Sequence, residues 1–393
     1  MWSDTDLGTD LERLNPVPDP EALPDRSERL WTSLSSQRTG VSRQPLRPRY
    51  RRRAVLAAVA FITLLAVPAV ALWLDDGPPP LDRDFNTPEQ PILTVYGSEQ
   101  GIPDGCAWKI AFAPSGTPLV GGPCGVLQLT DGQWMLIADE EAVGLTLMDL
   151  AVDDDGGIWI GSPDQPLRRL VGDTVVEMEI GSPHVAIGHD GTIWAVDFPY
   201  SGNGTEGPPT LVSYSAGSWQ HIGGTSVDNG VSVGVHDIAV GSDGTVWILI
   251  GDELARVSDG RLEAAEFDGP DNGSPMFLAA AADGAIWIAV QSNEVVDRLG
   301  ISDVLAYNVR YDGTSSSSLE VPFTEINDLA VHPDGTVWAS SVHGVFSYNG
   351  EEWTRYGMAE GMPVNEADFV EIAPDGSVYA GTELGLVNIP ARR

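Results

Sequence analysis

The chain has 393 residues with 44 Gly and 29 Pro, a composition that predicts frequent turns rather than long helices, and either two or three domains or one large repeat domain. Charge is unevenly distributed: residues 1–53 hold 10 Arg and 8 acidic residues, and the remainder holds 11 cations against 49 acids. An acidic field of that size excludes nucleic acid and anionic lipid as partners of the later part, and favours solubility and association with cations.

In chain order, residues 1–53 are too polar and proline-rich to build a core. They are expected to form a mostly disordered tail with one helix near 24–34. The stretch NPVPDP at 15–20 resembles a motif in the cytoplasmic leaders of membrane proteins from high-GC Gram-positive bacteria that often accompany sigma factors. Such a tail serves either as an inert tether or as the docking segment for a cytoplasmic partner.

Residues 54–74, AVLAAVAFITLLAVPAVALWL, are uncharged and apolar. At about 1.5 Å per residue they span roughly 30 Å, the thickness of a bilayer core, and predict a single transmembrane helix. Arg38, Arg43, Arg47, Arg49, Arg51, Arg52 and Arg53 precede it, and Asp75 and Asp76 follow. The positive-inside rule therefore puts the N-terminus in the cytoplasm and everything after residue 75 outside. Ala69-Val70-Ala71 also fits a signal-peptidase site, but the long leader and the interfacial Trp73 favour a retained anchor. Residues 75–91 are a Pro-rich spacer that holds the outer domain off the lipid.

Residues 92–393 repeat themselves. SGTPL (115–119), DGGIW (155–159), DGTIW (190–194), DGTVW (243–247), DGAIW (283–287), DGTVW (334–338) and DGSVY (375–379) are seven copies of one turn, with glycines 35 to 53 residues apart. Each follows an apolar strand, opens an aromatic one, and leads to a third strand, a second turn and a fourth strand. Four antiparallel strands per copy make a propeller blade. The seventh copy ends without a fourth strand, while ILTVYGSEQGIP (92–103) matches EWTRYGMAEGMP (352–363), the fourth strand and loop of the sixth copy. The prediction is an all-β, seven-bladed β-propeller closed by residues 92–96 pairing with blade seven, which removes exposed sheet edges.

Trp159, Trp194, Trp247, Trp287, Trp338 and Tyr379, with Leu119 in blade one, are expected to fill the spaces between blades. The first hairpin turns near residue 115, so Cys106 and Cys124 stand opposite one another across it and are expected to form a disulfide. DDDGG (153–157) lacks calcium-loop spacing and reads as a hairpin turn.

The pattern YGxxxGMP, an inner strand, then DGxVYAGTxLGL (356–386) resembles the two-component-regulator propeller repeat. The resemblance covers about 300 residues, is best in blades six and seven, and loses the GTxxGL element in blades two to five. It implies an extracytoplasmic sensor domain for a ligand, often a carbohydrate; no kinase, receiver or DNA-binding segment is recognisable in the chain. The Asp-Gly-x-Ile/Val-Trp turns are also similar to propellers of the streptogramin lyase type, which implies a His and acid cluster around a divalent metal that does not map onto this chain residue by residue.

Aligning the copies on their turn glycines puts Lys109, Asp149, His184, Asp237, Phe277, Asp328 and Phe369 at the mouth of the central channel. Trp108, Met148, Pro183, His236, Met276, Asn327 and Asp368 precede them. Trp108, Lys109, Asp149, His184, His236, Asp237, Asp328 and Asp368 are the candidate ligand-binding rim. The alternative for the recurrent Asp of blades two, four and six is a structural one, hydrogen bonding to backbone amides of the adjoining loop. His236 and Asp237, as strand neighbours, are expected on opposite faces. No activated nucleophile is evident, and no cofactor or metal ligand set is expected. Two long connections, 198–209 and 292–303, decorate the same face.

The reading that follows is a single-pass protein displaying an acidic recognition module for an envelope protein or glycan. A metal-dependent lyase or hydrolase using His184, His236 and the rim aspartates, and a scaffold with no ligand, are the alternatives.

Overall fold

The computed structural model describes residues 93–391 apart from 145, 164, 199, 202–203, 206–209, 225–234, 270–272, 293–304 and 324. The tail, the apolar run 54–74, the spacer and most of the two long connections lie outside the described residues. The chain divides after Gly77, and every described residue belongs to the later of the two units. Among the described residues no helix is long and apolar enough to cross a membrane.

Seven four-stranded antiparallel sheets form the seven blades of a propeller. Their inner strands are Lys109–Phe112, Asp149–Val152, Val185–Ile187, Val235–Val240, Gly273–Ala280, Asp328–Val331 and Phe369–Ile372. Each inner strand turns through the Asp-Gly or Ser-Gly hairpin into the second strand, which carries an aromatic residue in every blade but the first, where Leu119 stands in its place. The register is the same in every blade: Lys109 pairs with Gly121, Asp149 with Gly161, Asp237 with Leu249, Phe277 with Ala289, Asp328 with Ser340 and Phe369 with Gly381. Blade three follows it from Val185–Ala195 onward. Alignment on the turn glycines is thus structural alignment.

The ring closes as the sequence predicts. Thr94–Tyr96 is the outer strand of blade seven, with Thr94 opposite Asn388, Val95 opposite Val387 and Tyr96 opposite Leu386. Leu93 and Val95 pack into the core of that blade, and the Tyr96 ring meets Trp134 of blade one edge-on at 5.8 Å. Ile92 lies outside the described residues.

A glycine makes this closure possible. Gly385, at φ +123°, opens the third strand of blade seven, and a Cβ there would collide with the Tyr96 carbonyl. Gly125 (φ +112°) and Gly344 (φ +132°) stand in the same relation to the carbonyls of Ala138 and Tyr356 in blades one and six. These are the blades whose turns between second and third strands read GPCG, SVHG and TELG. The motif persists there because only glycine lets the outer strand's last carbonyl come so close.

Cys106 and Cys124 are disulfide-bonded with Cα atoms 5.5 Å apart, on the first hairpin's register continued past its last pair, Lys109 and Gly121. The DDDGG turn is held by Asp153, whose Oδ1 accepts from the Gly157 amide at 2.7 Å and whose Oδ2 accepts from Trp159 Nε1 at 2.8 Å and from Arg169. Trp159, Trp247, Trp338, Tyr379 and Leu119 are buried, whereas Trp194 and Trp287 are only half-buried. Several reach the next blade: Trp159 meets Tyr214 at 5.6 Å, Trp247 meets Tyr311 at 5.7 Å, and Tyr379 meets Phe112 at 5.6 Å. Each buried aromatic contributes roughly 1.5–3 kcal/mol.

Gly385→Ala should cost roughly 1–3 kcal/mol through backbone strain and the displaced carbonyl. The loss should appear in hydrogen exchange first at Val95 and Tyr96, with the amides of blades three to five unchanged. Protection that falls evenly around the ring would contradict closure by this strand.

Candidate functional site

The mouth end of the channel opens into a cavity of about 750 Å³. Of the eight rim residues predicted from sequence, Lys109, Asp149, His184, His236, Asp237, Asp328 and Asp368 line it. Trp108 is not among the lining residues and is 40% exposed. Met148, Met276, Phe277 and Phe369 supply an apolar part of the wall. A second cavity of about 610 Å³ occupies the opposite end of the channel. Phe112, Leu278, Leu329 and Glu371 border both cavities, and so form a waist between them.

The three mouth aspartates have structural work. Asp149 accepts from its neighbour Leu150 N at 2.9 Å and from Val185 N of blade three at 3.0 Å. Asp237 does the same with Ile238 and with Leu278 of blade five, both at 2.8 Å, and Asp328 with Leu329 at 2.9 Å and Val370 of blade seven at 3.3 Å. Each carboxylate therefore clasps one inner strand to the next. The amides belong to the neighbouring strand and not to the adjoining loop, which corrects the sequence expectation in detail while keeping its physical logic. Asn327 adds a fourth clasp through the Ala367 carbonyl at 2.9 Å.

Strict alternation fails at His236. The register shifts between Val235 and Asp237, a β-bulge that leaves His236 unpaired, so His236 and Asp237 both line the cavity instead of facing opposite ways. Met276 is released in the same way in blade five, between Pro275 and Phe277.

Lys109, the chain's only lysine, reaches across the mouth to Asp328, with Nζ 3.9 Å from Oδ2. The surrounding carboxylates, Asp328 foremost, hold its amine protonated well above the usual lysine range. Enclosure by protein raises the carboxyls of Asp149 and Asp328, and pushes Asp237 up to about 7, despite the amides and Lys109 acting in the other direction. Burial, then the charge of Lys109, depresses His184 to about 4, so its imidazole is neutral at pH 7. Asp368 is raised to about 6 by burial and by Glu366 and Glu383.

Glu371 was not among the predicted rim residues. It lies two positions deeper than Phe369 on the same strand face, and the corresponding residues of the other blades are Ala111, Ala151, Ala186, Ala239, Ala279 and Ala330. One carboxylate in a column of six alanines is the signal that points to it. Enclosure by protein, with Asp328 nearby, raises Glu371 to about 7.

Among the described residues no group of three or more His, Cys, Asp or Glu is placed to hold a metal ion. His184 and His236 border one cavity on adjacent blades, but no third ligand joins them.

No model of a known protein family matches the chain, and no curated protein matches it in sequence. Solved structures do match in fold. A streptogramin B lyase structure is 17% identical with a TM-score of 0.56, covering 76% of this chain and 97% of that one. The extracellular domains of the putative one-component system BT4673 and the putative hybrid two-component system BT3049, both from B. thetaiotaomicron, are 13% and 16% identical, with TM-scores of 0.59 and 0.57. They cover 77% and 76% of this chain, which in turn spans only 40% and 41% of their length. Both resemblances noted in the sequence thus reappear as shared architecture, and at these identities the likeness is one of fold.

The raised acids give a pH dependence of definite sign. A carboxyl whose folded pKa exceeds its unfolded value, about 4, stabilises the protein while protonated, and that stability is lost as pH rises toward 7. Glu371→Gln should therefore raise Tm at pH 8 and leave it nearly unchanged at pH 5. Lys109→Met should lower Tm, and by more at pH 8 than at pH 5, because the carboxylates lose their cation. Scanning calorimetry at the two pH values checks both; parallel Tm profiles for wild type and variants would refute the electrostatic account.

Proposed function

We propose that this chain is a single-pass membrane protein whose extracytoplasmic propeller recognises an envelope component, a protein or a glycan, that inserts a polar end into the channel-mouth cavity. The observation that carries the reading is the open cavity of about 750 Å³ in which charged groups, Lys109 and Glu371 among them, coexist with Met148, Met276 and Phe277. Concave sites with an apolar wall and few polar groups are the usual form of a ligand pocket. The reading of residues 1–53 as a cytoplasmic tail, 54–74 as the anchor, 75–91 as the linker and 92–393 as the recognition domain rests on the charge step and the apolar run. The disulfide agrees with an oxidising, extracytoplasmic location. The sensor-type neighbours share the fold and supply an analogy for the role, not the identity of a ligand.

The test uses the full chain in detergent and follows its Tm against fractions of envelope extract. At least one glycan or peptide fraction should raise Tm, since a ligand that binds only the folded state stabilises it. Met148→Arg, at a rim position already 45% exposed, should block the mouth and abolish that shift without lowering the ligand-free Tm. Deleting residues 1–40 should leave the shift intact. A shift that survives Met148→Arg, or no shift with any fraction, would sink the proposal.

A further inference from the structure

The mouth aspartates are explained by the fold, since each satisfies two backbone amides and joins two blades. Their presence therefore carries no message about a ligand. Glu371 is different. Its carboxylate takes one backbone amide, that of its neighbour Ile372, and feels the charge of Lys109 only from beyond ion-pairing distance. No described basic side chain lies within ion-pairing distance of it; the lysine of the cavity is engaged with Asp328. Six of seven blades build this position with alanine, so the architecture has no need of a carboxylate there. Its neighbours at the waist are Phe112, Leu278 and Leu329, apolar groups that do nothing to stabilise a negative charge.

A carboxylate at the narrow end of an open cavity, exposed to it, beside apolar walls and engaged in no ion pair, is available to a cation that enters the cavity. The same cavity offers Met148, Met276, Phe277 and Phe369 between the opening and the waist. Sulfur and aromatic groups of this kind suit an apolar body and a cationic head alike. The net acidity of the outer part adds attraction for a cation at long range. Resting on the mouth cavity as the recognition site, we propose that Glu371 is its specificity-determining residue, and that the ligand is an organic cation whose primary ammonium reaches Glu371 at the waist while its apolar body lies against Met148, Met276 and Phe277.

The test titrates the full chain in detergent with phenethylammonium, its neutral analogue 2-phenylethanol and the anion 3-phenylpropionate, by calorimetry at pH 8 where Glu371 is ionised. Wild type should prefer the ammonium over the alcohol by about tenfold or more, the worth of one charge-assisted hydrogen bond, and should not bind the carboxylate. Glu371→Ala, the residue that six blades already use, and Glu371→Gln should each bring the ammonium down to the level of the alcohol. Two variants guard against one failing to fold, and an unchanged thermal transition in either suffices. If wild type shows no preference for the charge, or the preference survives both substitutions, the inference is overturned. Should binding without preference still vanish in Met148→Arg, the cavity remains the recognition site and only the assignment of Glu371 fails. Binding indifferent to Met148→Arg would remove both, and absence of binding by all three probes would overturn the assignment while leaving the cavity to the envelope-fraction experiment.

Discussion

The pairing of Thr94–Tyr96 with Gly385–Ile389 joins the two ends of the outer domain. Without it blade seven would be a three-stranded sheet with a bare edge, and Trp134 of blade one would lose its contact with Tyr96. The channel exists only because the ring is closed, and the mouth residues converge only because each is fixed at the same step of an equivalent ladder. Every distance in the cavity, including the span from Lys109 in blade one to Asp328 in blade six, is inherited from that closure.

Inside the ring, charged residues of similar appearance divide into two physical kinds. Asp149, Asp237 and Asp328 use both carboxylate oxygens on backbone amides, so their burial is compensated. Glu371 has one local amide and no ion pair, and it stands exposed at the waist of the channel. Natural sequences tolerate such imbalance chiefly where binding requires it. The contrast separates groups the fold consumes from a group it leaves over, which a list of acidic residues around a pocket does not do.

Much of this was legible in the sequence because a propeller repeats its grammar. Seven turn glycines fixed the blade count and the register, the match of 92–103 to 352–363 revealed the closing strand, and the symmetric placement of Cys106 and Cys124 about the first turn revealed the disulfide. What escaped were departures from the repeat. The bulges at His236 and Met276 add single residues without altering the hydrophobic pattern, so periodicity is blind to them. The aspartate clasps connect strands some forty residues apart, a relation that no local rule encodes. Glu371 was visible as an anomaly among alanines, but two positions deeper than the mouth residue Phe369. Trp108 does not join the other predicted rim residues in lining the cavity, because precedence in sequence does not determine where a side chain points.

The glycines that admit an outer-strand carbonyl at Gly125, Gly344 and Gly385 occur in blades one, six and seven, which are contiguous around the ring. Blades three and five instead connect their second and third strands through residues 198–209 and 293–304. The circumference is thus partitioned into a conservative arc, where backbone crowding forbids length changes next to the seam, and a permissive arc, where blades three and five accommodate long connections between those strands. Lineages descended from such a chain can diversify what they bind by lengthening or exchanging segments on the permissive arc alone, and a designer grafting foreign loops would choose the same half of the circle.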